Sequence, residues 1–344
     1  MKRFDGYERG INLGGWISQY NEASKTHFDT FITKTDIARI ASWGLDHVRL
    51  PVDYEVVMDD DLTFKEDGFS YIDACLSWCR EYRLNVILDL HKSKGYMFDA
   101  LAVPDSDKFF TESALQDAFY HIWREFARRY GKYSSFLTFE LLNEVVNPAY
   151  GEKWNEIATE CIKEVRAIAP DNTIIIGGTC NNAATTVSAI RLPSYDNIVL
   201  TFHCYEPMAF THQKAYWVMD MPMDQEVEYP LPIEELREKS KPVSKAQVGA
   251  IFDTVLDGKD ECFFETLFAD AISYAKSVGA PLYCGEYGVI DRAPAESALH
   301  WFQAINKTFT SNQIGRSAWN YKEKDFGIVD AHYDGVRDKL VKYL

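Results

Sequence analysis

The stretch Asn85-Val86-Ile87-Leu88-Asp89-Leu90-His91 decides the fold. It is short, rich in aliphatic residues and without strict polar/apolar alternation, which is how a strand covered on both faces reads. A helical pattern precedes it at Tyr71–Tyr82 and another follows at Leu115–Tyr130, so the strand belongs to a series of β-α units. Working outward, further strand-like runs are Gly10–Gly14, His47–Pro51, Phe136–Asn143, Thr173–Gly178, Ile198–Tyr205, Pro281–Glu286 and Arg316–Tyr321. Ile37–Trp43, Trp154–Ile168 and Phe264–Val278 place apolar residues at helical spacing between them, and Asp334–Leu344 closes the chain as a short helix. Eight strands alternating with helices predict a closed (β/α)8 TIM barrel, one α/β domain over residues 1–344. An open, doubly wound sheet is the competing architecture, but the first strand lacks the Gly-rich dinucleotide turn.

One connection breaks the rhythm. Glu206–Glu261 is far longer than a barrel loop needs and carries Pro207, Pro222, Pro230, Pro232 and Pro242 among Phe210, Tyr216 and Trp217. It holds a charged helical pattern at Ile233–Lys239 and a second helix-like piece at Lys245–Leu256. We read residues 206–261 as a small subdomain inserted between strand six and helix six. Loops after barrel strands lie over the active face, so it is expected to wall or cover a cleft.

Charge narrows the partners. Against 36 Lys+Arg stand 52 Asp+Glu, a net charge of −16, which disfavours nucleic acid and anionic membranes alike. The N-terminal residues Met1–Gly10 have no apolar run of the secretory kind, and no segment is apolar for long enough to span a bilayer, so a cytoplasmic monomer is expected. Cys75, Cys79, Cys161, Cys180, Cys204, Cys262 and Cys284 are scattered, mostly in apolar or helical surroundings, and read as reduced thiols. Cys75 and Cys79 are close enough to touch on one helix, but no second pair follows at zinc spacing. The aromatic share of 14% is high enough to suggest a ring-lined cleft.

In a barrel, polar residues at the C-terminal ends of strands face the active site. Those ends supply Arg49 after strand two, His91 after three, Asn143 and Glu144 after four, His203 and Tyr205 after six, Glu286 after seven and Trp319 after eight. Glu144 and Glu286 end strands that face each other across the mouth. Two opposed carboxyl groups suit glycoside hydrolysis: one protonates the departing oxygen, the other attacks the anomeric carbon or activates water. Their pKa values must differ, and Arg49 and Tyr205 are the candidate supports of an ionised Glu286.

The runs Gly10-Ile11-Asn12-Leu13-Gly14-Gly15-Trp16, His47-Val48-Arg49-Leu50-Pro51, Phe139-Glu140-Leu141-Leu142-Asn143-Glu144 and Gly285-Glu286-Tyr287-Gly288 together resemble glycoside hydrolase family 5, the cellulase-type family. The resemblance covers nearly the whole chain, and the insertion is similar to one in some bacterial endoglucanases of the family. It implies a retaining double displacement without metal or cofactor, with Glu144 as acid/base and Glu286 as nucleophile. It further implies that Asn143 bonds the sugar 2-hydroxyl, Arg49 and Tyr205 hold Glu286, and His91 and His203 contact the sugar or the carboxylates. Trp319 would be the platform under the reacting sugar. A structural histidine is the competing reading for His91, and a core ring for Trp319.

The chain departs from the family pattern at Lys92, where many members carry a second histidine, and at Val145, where many carry proline. Lys92 and Lys94 bear on the non-reducing side of the cleft, or are solvated loop charges. The expected substrate is a β-glucan or β-gluco-oligosaccharide cut in endo-β-1,4-glucanase fashion. Exo action of the β-glucosidase or exo-β-1,3-glucanase kind, and a β-mannosidase, stay open. A non-catalytic carbohydrate-binding barrel is disfavoured because both glutamates and Asn143 are present. A lyase or isomerase is disfavoured because no phosphate loop or metal cluster is visible. Rings at strand ends and in the loops above them are expected to stack on sugars: Trp16, Tyr96, Phe98, Tyr205, Phe210, Trp217, Tyr287 and Trp319.

Overall fold

The computed structural model describes residues 1–98, 107–243 and 263–344. Eight parallel strands close a barrel in chain order: β1 (Arg9–Asn12), β2 (His47–Asp53), β3 (Asn85–Lys92), β4 (Leu137–Glu140), β5 (Ile174–Gly177), β6 (Ile198–Cys204), β7 (Leu282–Tyr287) and β8 (Gly315–Ala318). β8 pairs back onto β1, so no strand edge is left open. β4 is shorter than its apolar run predicts, because strand pairing to β5 stops at Glu140 opposite Ile175. The next residues bend over the mouth, with the Asn143 N–H bonded to the Leu90 carbonyl at 3.1 Å.

The outer ring is formed by the helices Lys34–Ser42, Glu66–Glu81, Ser113–Tyr130, Gly151–Ile168, Phe263–Val278 and Ala295–Asn312. Ser113–Tyr130 shows why they pack: Phe119, Ile122, Trp123 and Phe126 recur three and four residues apart and bury one stripe against the sheet. The fifth connection is an exception. Ala184–Ala189 is a 3₁₀ segment packed against the helix Phe263–Val278, and its short Thr/Val-rich run ends before Pro193 without space for a full helix. The closing helix is also shorter than expected, Arg337–Leu340 followed by a 3₁₀ turn.

Alternate strand residues point into the barrel, and their polarity changes along its axis. At the N-terminal end Phe4, Tyr7, Ile87, Ile175, Val199 and Tyr283 form a separate apolar cluster. Two residues further along the strands the same faces carry Arg49, Asp89 and Glu140, and further still His91, His203 and Glu286. The β6–β7 register passes from Phe202 opposite Cys284 to His203 opposite Glu286, so Gly285 is an extra residue that re-aims Glu286. Any larger residue there would crowd His203, since a Cβ would sit 3.0 Å from its Nε2.

Between β6 and the helix Phe263–Val278, the described part of the long connection contains the short helix Met208–Thr211 and the helix Ile233–Ser240. Its interior is small but built. Phe210, Ala215, Val227 and Leu236 are buried, and the Gln213 side chain bonds both the N–H and the carbonyl of Val227, at 3.1 and 2.9 Å. The expected helix Lys245–Leu256 and Cys262 lie outside the described residues. Cys75 and Cys79 do touch, at 4.0 Å, while Cys180 is exposed rather than packed in a core. Among the described residues no helix is long and apolar enough to cross a membrane.

Candidate active site

Arg49 organises the mouth of the barrel. It lies within β2 rather than after it, and its side chain is fully buried. Its Nε and Nη2 grip Glu140 at 2.7 and 3.0 Å, Nη2 also reaches Asp89 and Asn143 at 3.0 Å, and Nη1 donates to Glu286 at 2.8 Å and Asn12 at 3.0 Å. Burial works against the guanidinium charge, but Asp89, Glu140 and Glu286 together raise its pKa further. One cation among three carboxyl groups leaves excess acid to be relieved by protonation. Burial pushes Asp89 up to about 7 despite Arg49, and raises Glu140 as well.

The two glutamates have different surroundings. Glu286 accepts from Arg49 on Oε1 and from the Tyr205 hydroxyl on Oε2 at 3.0 Å, so both of its oxygens are held by donors. Glu144 faces a neutral imidazole and an amide instead: its Oε1 lies 2.7 Å from His203 Nδ1, and its Oε2 accepts from Asn181 Nδ2 at 2.8 Å. Burial raises Glu144 to about 7, against the pull of Asn181, His91 and Arg49, and lowers His203 to about 4. The pair is therefore a protonated carboxyl beside a neutral ring up to near-neutral pH. Asn182 Nδ2 sits 3.4 Å from His203 Nε2; with that amide as donor the ring hydrogen is on Nδ1 and points at Glu144. Ligand-capable atoms of Glu144, His203 and Glu286 all lie within 4.8 Å of one another. Each already has a hydrogen-bond partner, so their proximity is satisfied as a proton-transfer arrangement.

Asn143 points its Oδ1 at Arg49, and among the described residues its amide nitrogen has no partner, so it can donate to a ligand. His91 contacts neither glutamate. Its Nδ1 bonds Asp89 at 2.7 Å, its Nε2 lies 2.9 Å from the Gln19 amide, and its ring stacks parallel to Trp319 at 5.7 Å. Trp319 follows β8 directly and packs so closely on Gly14 that a Cβ there would meet the ring at 2.4 Å. This is the physical requirement behind the glycine of the first motif.

The structure thus brings together Arg49, Asn143, Glu144, His203, Tyr205 and Glu286, with His91 and Trp319 forming one wall. Asp89, Glu140, Asn12, Gln19 and Asn181 escaped the sequence reading. Asp89 and Glu140 had a usable signal, an acid within or ending an otherwise apolar strand run. Asn181 had none.

Several expected sugar-facing rings are core instead. Trp16 is buried and stacked on Trp78, Tyr287 is packed among Trp301, Phe302 and Phe309, and Phe210 packs on Tyr229. Each lies at or past the end of a strand, but its side chain packs away from the cleft, under the helices or the long connection. Tyr96 is likewise buried and bonds the Glu144 carbonyl at 2.7 Å. Lys92 is ion-paired with Glu55 and lies 5.9 Å over the Tyr54 ring, while Lys94 pairs with Asp60 at 2.7 Å.

The family profile described as Cellulase (glycosyl hydrolase family 5) matches residues 7–325. Cellodextrinase A of Ruminococcus flavefaciens is 43% identical over 316 residues, 92% of this chain and 86% of that protein. Endoglucanase C of Acetivibrio thermocellus is 39% identical over 341 residues, 98% of each chain. Among solved structures, the cellulose synthase subunit Z of Clostridioides difficile superposes with a TM-score of 0.77 at 25% identity, covering 98% of this chain and 99% of that one. The endoglucanase Cel5A of Thermotoga maritima, at 23% identity and a TM-score of 0.75 over 98% and 97% of the chains, shares the fold. A closed barrel with two unlike glutamates at its mouth, a family match over most of the length and relatives near 40% identity converge: the chain belongs to the cellulase family, glycosyl hydrolase family 5, and is a glycoside hydrolase.

Proposed function

We propose that the enzyme hydrolyses β-1,4-glucans and cello-oligosaccharides with retention, Glu144 serving as acid/base and Glu286 as nucleophile. The observation that carries this reading is the unequal environment of the two carboxyl groups at close range. Oxygens of the two lie within 4.8 Å, near the separation of about 5–5.5 Å associated with direct attack and well short of the about 6.5–9.5 Å that an inverting pair needs. Glu286, held by Arg49 and Tyr205, attacks the anomeric carbon while Glu144 delivers its proton to the departing oxygen. Glu144 then takes a proton from the water that releases the sugar. The free Asn143 amide is placed to bond the sugar 2-hydroxyl, and Trp319 with His91 to support the ring.

The described part of the long connection, residues 206–243, is read as a wall of the cleft on the side of β6–β8. Its His212 lies 4.9 Å from Tyr205 and 5.3 Å from Phe326, ring centre to ring centre. A relative named cellodextrinase supports a reading with short chains as substrates, and relatives named endoglucanase support one with internal cleavage. Product analysis on cellohexaose, laminarihexaose and mannohexaose separates these. Mixed mid-length cello-oligosaccharides at the first time point are expected. Glucose alone would mean exo action, and turnover confined to laminari- or manno-oligosaccharides would reject the β-1,4-glucan assignment.

A further inference from the structure

Behind Glu144 the chain adopts an unfavourable backbone. Cys180, Asn181 and Asn182 occupy the left-handed region in succession, with φ of 52°, 55° and 55°. Non-glycine residues enter this region at a cost, asparagine most readily, and three in a row need external bonds to persist. Those bonds exist on both sides. The Cys180 and Asn181 N–H groups donate to the carbonyls of Val146 and Val145 at 3.2 and 3.1 Å, and the His203 N–H donates to the Asn182 carbonyl at 2.8 Å. The turn is therefore tied to the two residues following Glu144 and to the histidine bonded to it. Its outcome is one contact: Asn181 Nδ2 to Glu144 Oε2.

That oxygen matters because the other is occupied. His203 Nδ1–H takes Oε1, so Oε2 is the one left to exchange a proton with a leaving group, and Asn181 is its sole partner among the described residues. From the opposite side the Tyr96 hydroxyl donates to the Glu144 carbonyl and accepts the Val146 N–H at 2.9 Å, fixing the backbone against which the side chain is aimed. We propose that Asn181, presented by the left-handed turn 180–182, is a positioning residue of the acid/base, orienting the proton-bearing oxygen of Glu144 toward the scissile bond. This rests on the reading of Glu144 as the acid.

Asn181→Gly is the discriminating variant, because glycine tolerates the left-handed backbone and only the amide is removed. Asn181→Asp keeps the shape and replaces the donor by an acceptor. For cellopentaose, kcat/KM is expected to fall about tenfold or more in both. For 2,4-dinitrophenyl β-cellobioside, whose leaving group departs without protonation, it is expected to change by less than about twofold. Losing a donor to the ionised form raises the Glu144 pKa. The basic limb of kcat/KM should then move up by about half to one pH unit in Asn181→Gly, and further in Asn181→Asp. The other groups facing Glu144, namely His91 and Asp89 on β3, Arg49 on β2, His203 on β6 and Glu286 on β7, are unchanged in these variants. A loss shared equally by both substrates, no loss, or an unmoved basic limb overturns the proposal. Glu144→Ala is measured alongside. If it too loses both substrates equally, and azide does not restore turnover of the activated one, the acid/base reading itself fails. If Glu144→Ala is selective and the Asn181 variants are not, only the inference about Asn181 fails.

Discussion

At the N-terminal end of the barrel His47 is closed in: its Nδ1 bonds Asp46 at 2.6 Å, its Nε2 bonds the Tyr283 hydroxyl at 2.7 Å, and Phe4 stacked on Tyr7 covers the layer. Asp46 also accepts the N–H groups of Glu8 and Arg9; burial pushes its carboxyl up, but the bond to His47 first, helped by Glu8 and Arg9, holds it down to about 2. At the C-terminal end the groups are no less buried, but the pattern is reversed. Glu144 and Asp89 are pushed up to about 7, His203 is pushed down to about 4, and the Asn143 amide is left without a partner among the described residues. A buried polar cluster that satisfies itself is structure. One whose groups are pushed away from their ordinary protonation states, with a donor facing open space, is poised for chemistry.

The sharpest way to break this contrast is at the nucleophile. Glu286→Ala should lower kcat on cello-oligosaccharides by about 10⁴-fold while the protein stays folded; steady-state kinetics with unfolding checked by circular dichroism decides it, and near-normal turnover would remove Glu286 from its role. Next in size is Arg49→Met, which leaves Asp89, Glu140 and Glu286 without their cation and should cost about 3–5 kcal/mol in urea unfolding, alongside lost activity. Loss of activity with unchanged stability would show that the buried carboxyls do not depend on it.

A smaller, pH-dependent effect tests the energetic cost of the acid. Glu144 has its pKa raised by folding, so its contribution to stability is fully present below its unfolded pKa and lost as pH rises through about 7. Glu144→Gln removes that penalty and should be more stable than the parent by about 2 kcal/mol at pH 8, with little difference at pH 4. A stability difference independent of pH would contradict the raised value. The smallest effect belongs to the closed end. Tyr283→Phe should cost about 1 kcal/mol of stability and leave kcat unchanged. A fall in kcat there would erase the distinction between the two ends.

The legibility of the molecule follows the same division. The strands could be read because both faces are buried, so their aliphatic runs are bounded by the residues that leave the sheet. Glu144, Glu286 and Asn143 could be read because strand ends define the mouth, whereas Arg49 sits deeper, within β2, and reaches the mouth by the length of its side chain. The rings could not be sorted in the same way. Trp16 and Trp319 both follow strands, yet one packs under the helices against Trp78 and the other stands beside His91. Sequence position places a residue near the mouth, but the turn of the loop decides which way its side chain faces.

Asn181 marks the limit more clearly. It belongs to a different β-α unit from Glu144, and only the pairing of β4 with β5 and a left-handed turn bring its amide to 2.8 Å from the carboxyl. The sequence by itself determined the period of the strands, the barrel and the pair of glutamates, since these depend on local patterns repeated along the chain. The tertiary structure alone decided the unequal surroundings of the two, a guanidinium and a hydroxyl at Glu286 against an imidazole and an amide at Glu144. That depends on Arg49, Tyr205, His203 and Asn181 converging from separate strands and loops in a space from which water is largely excluded.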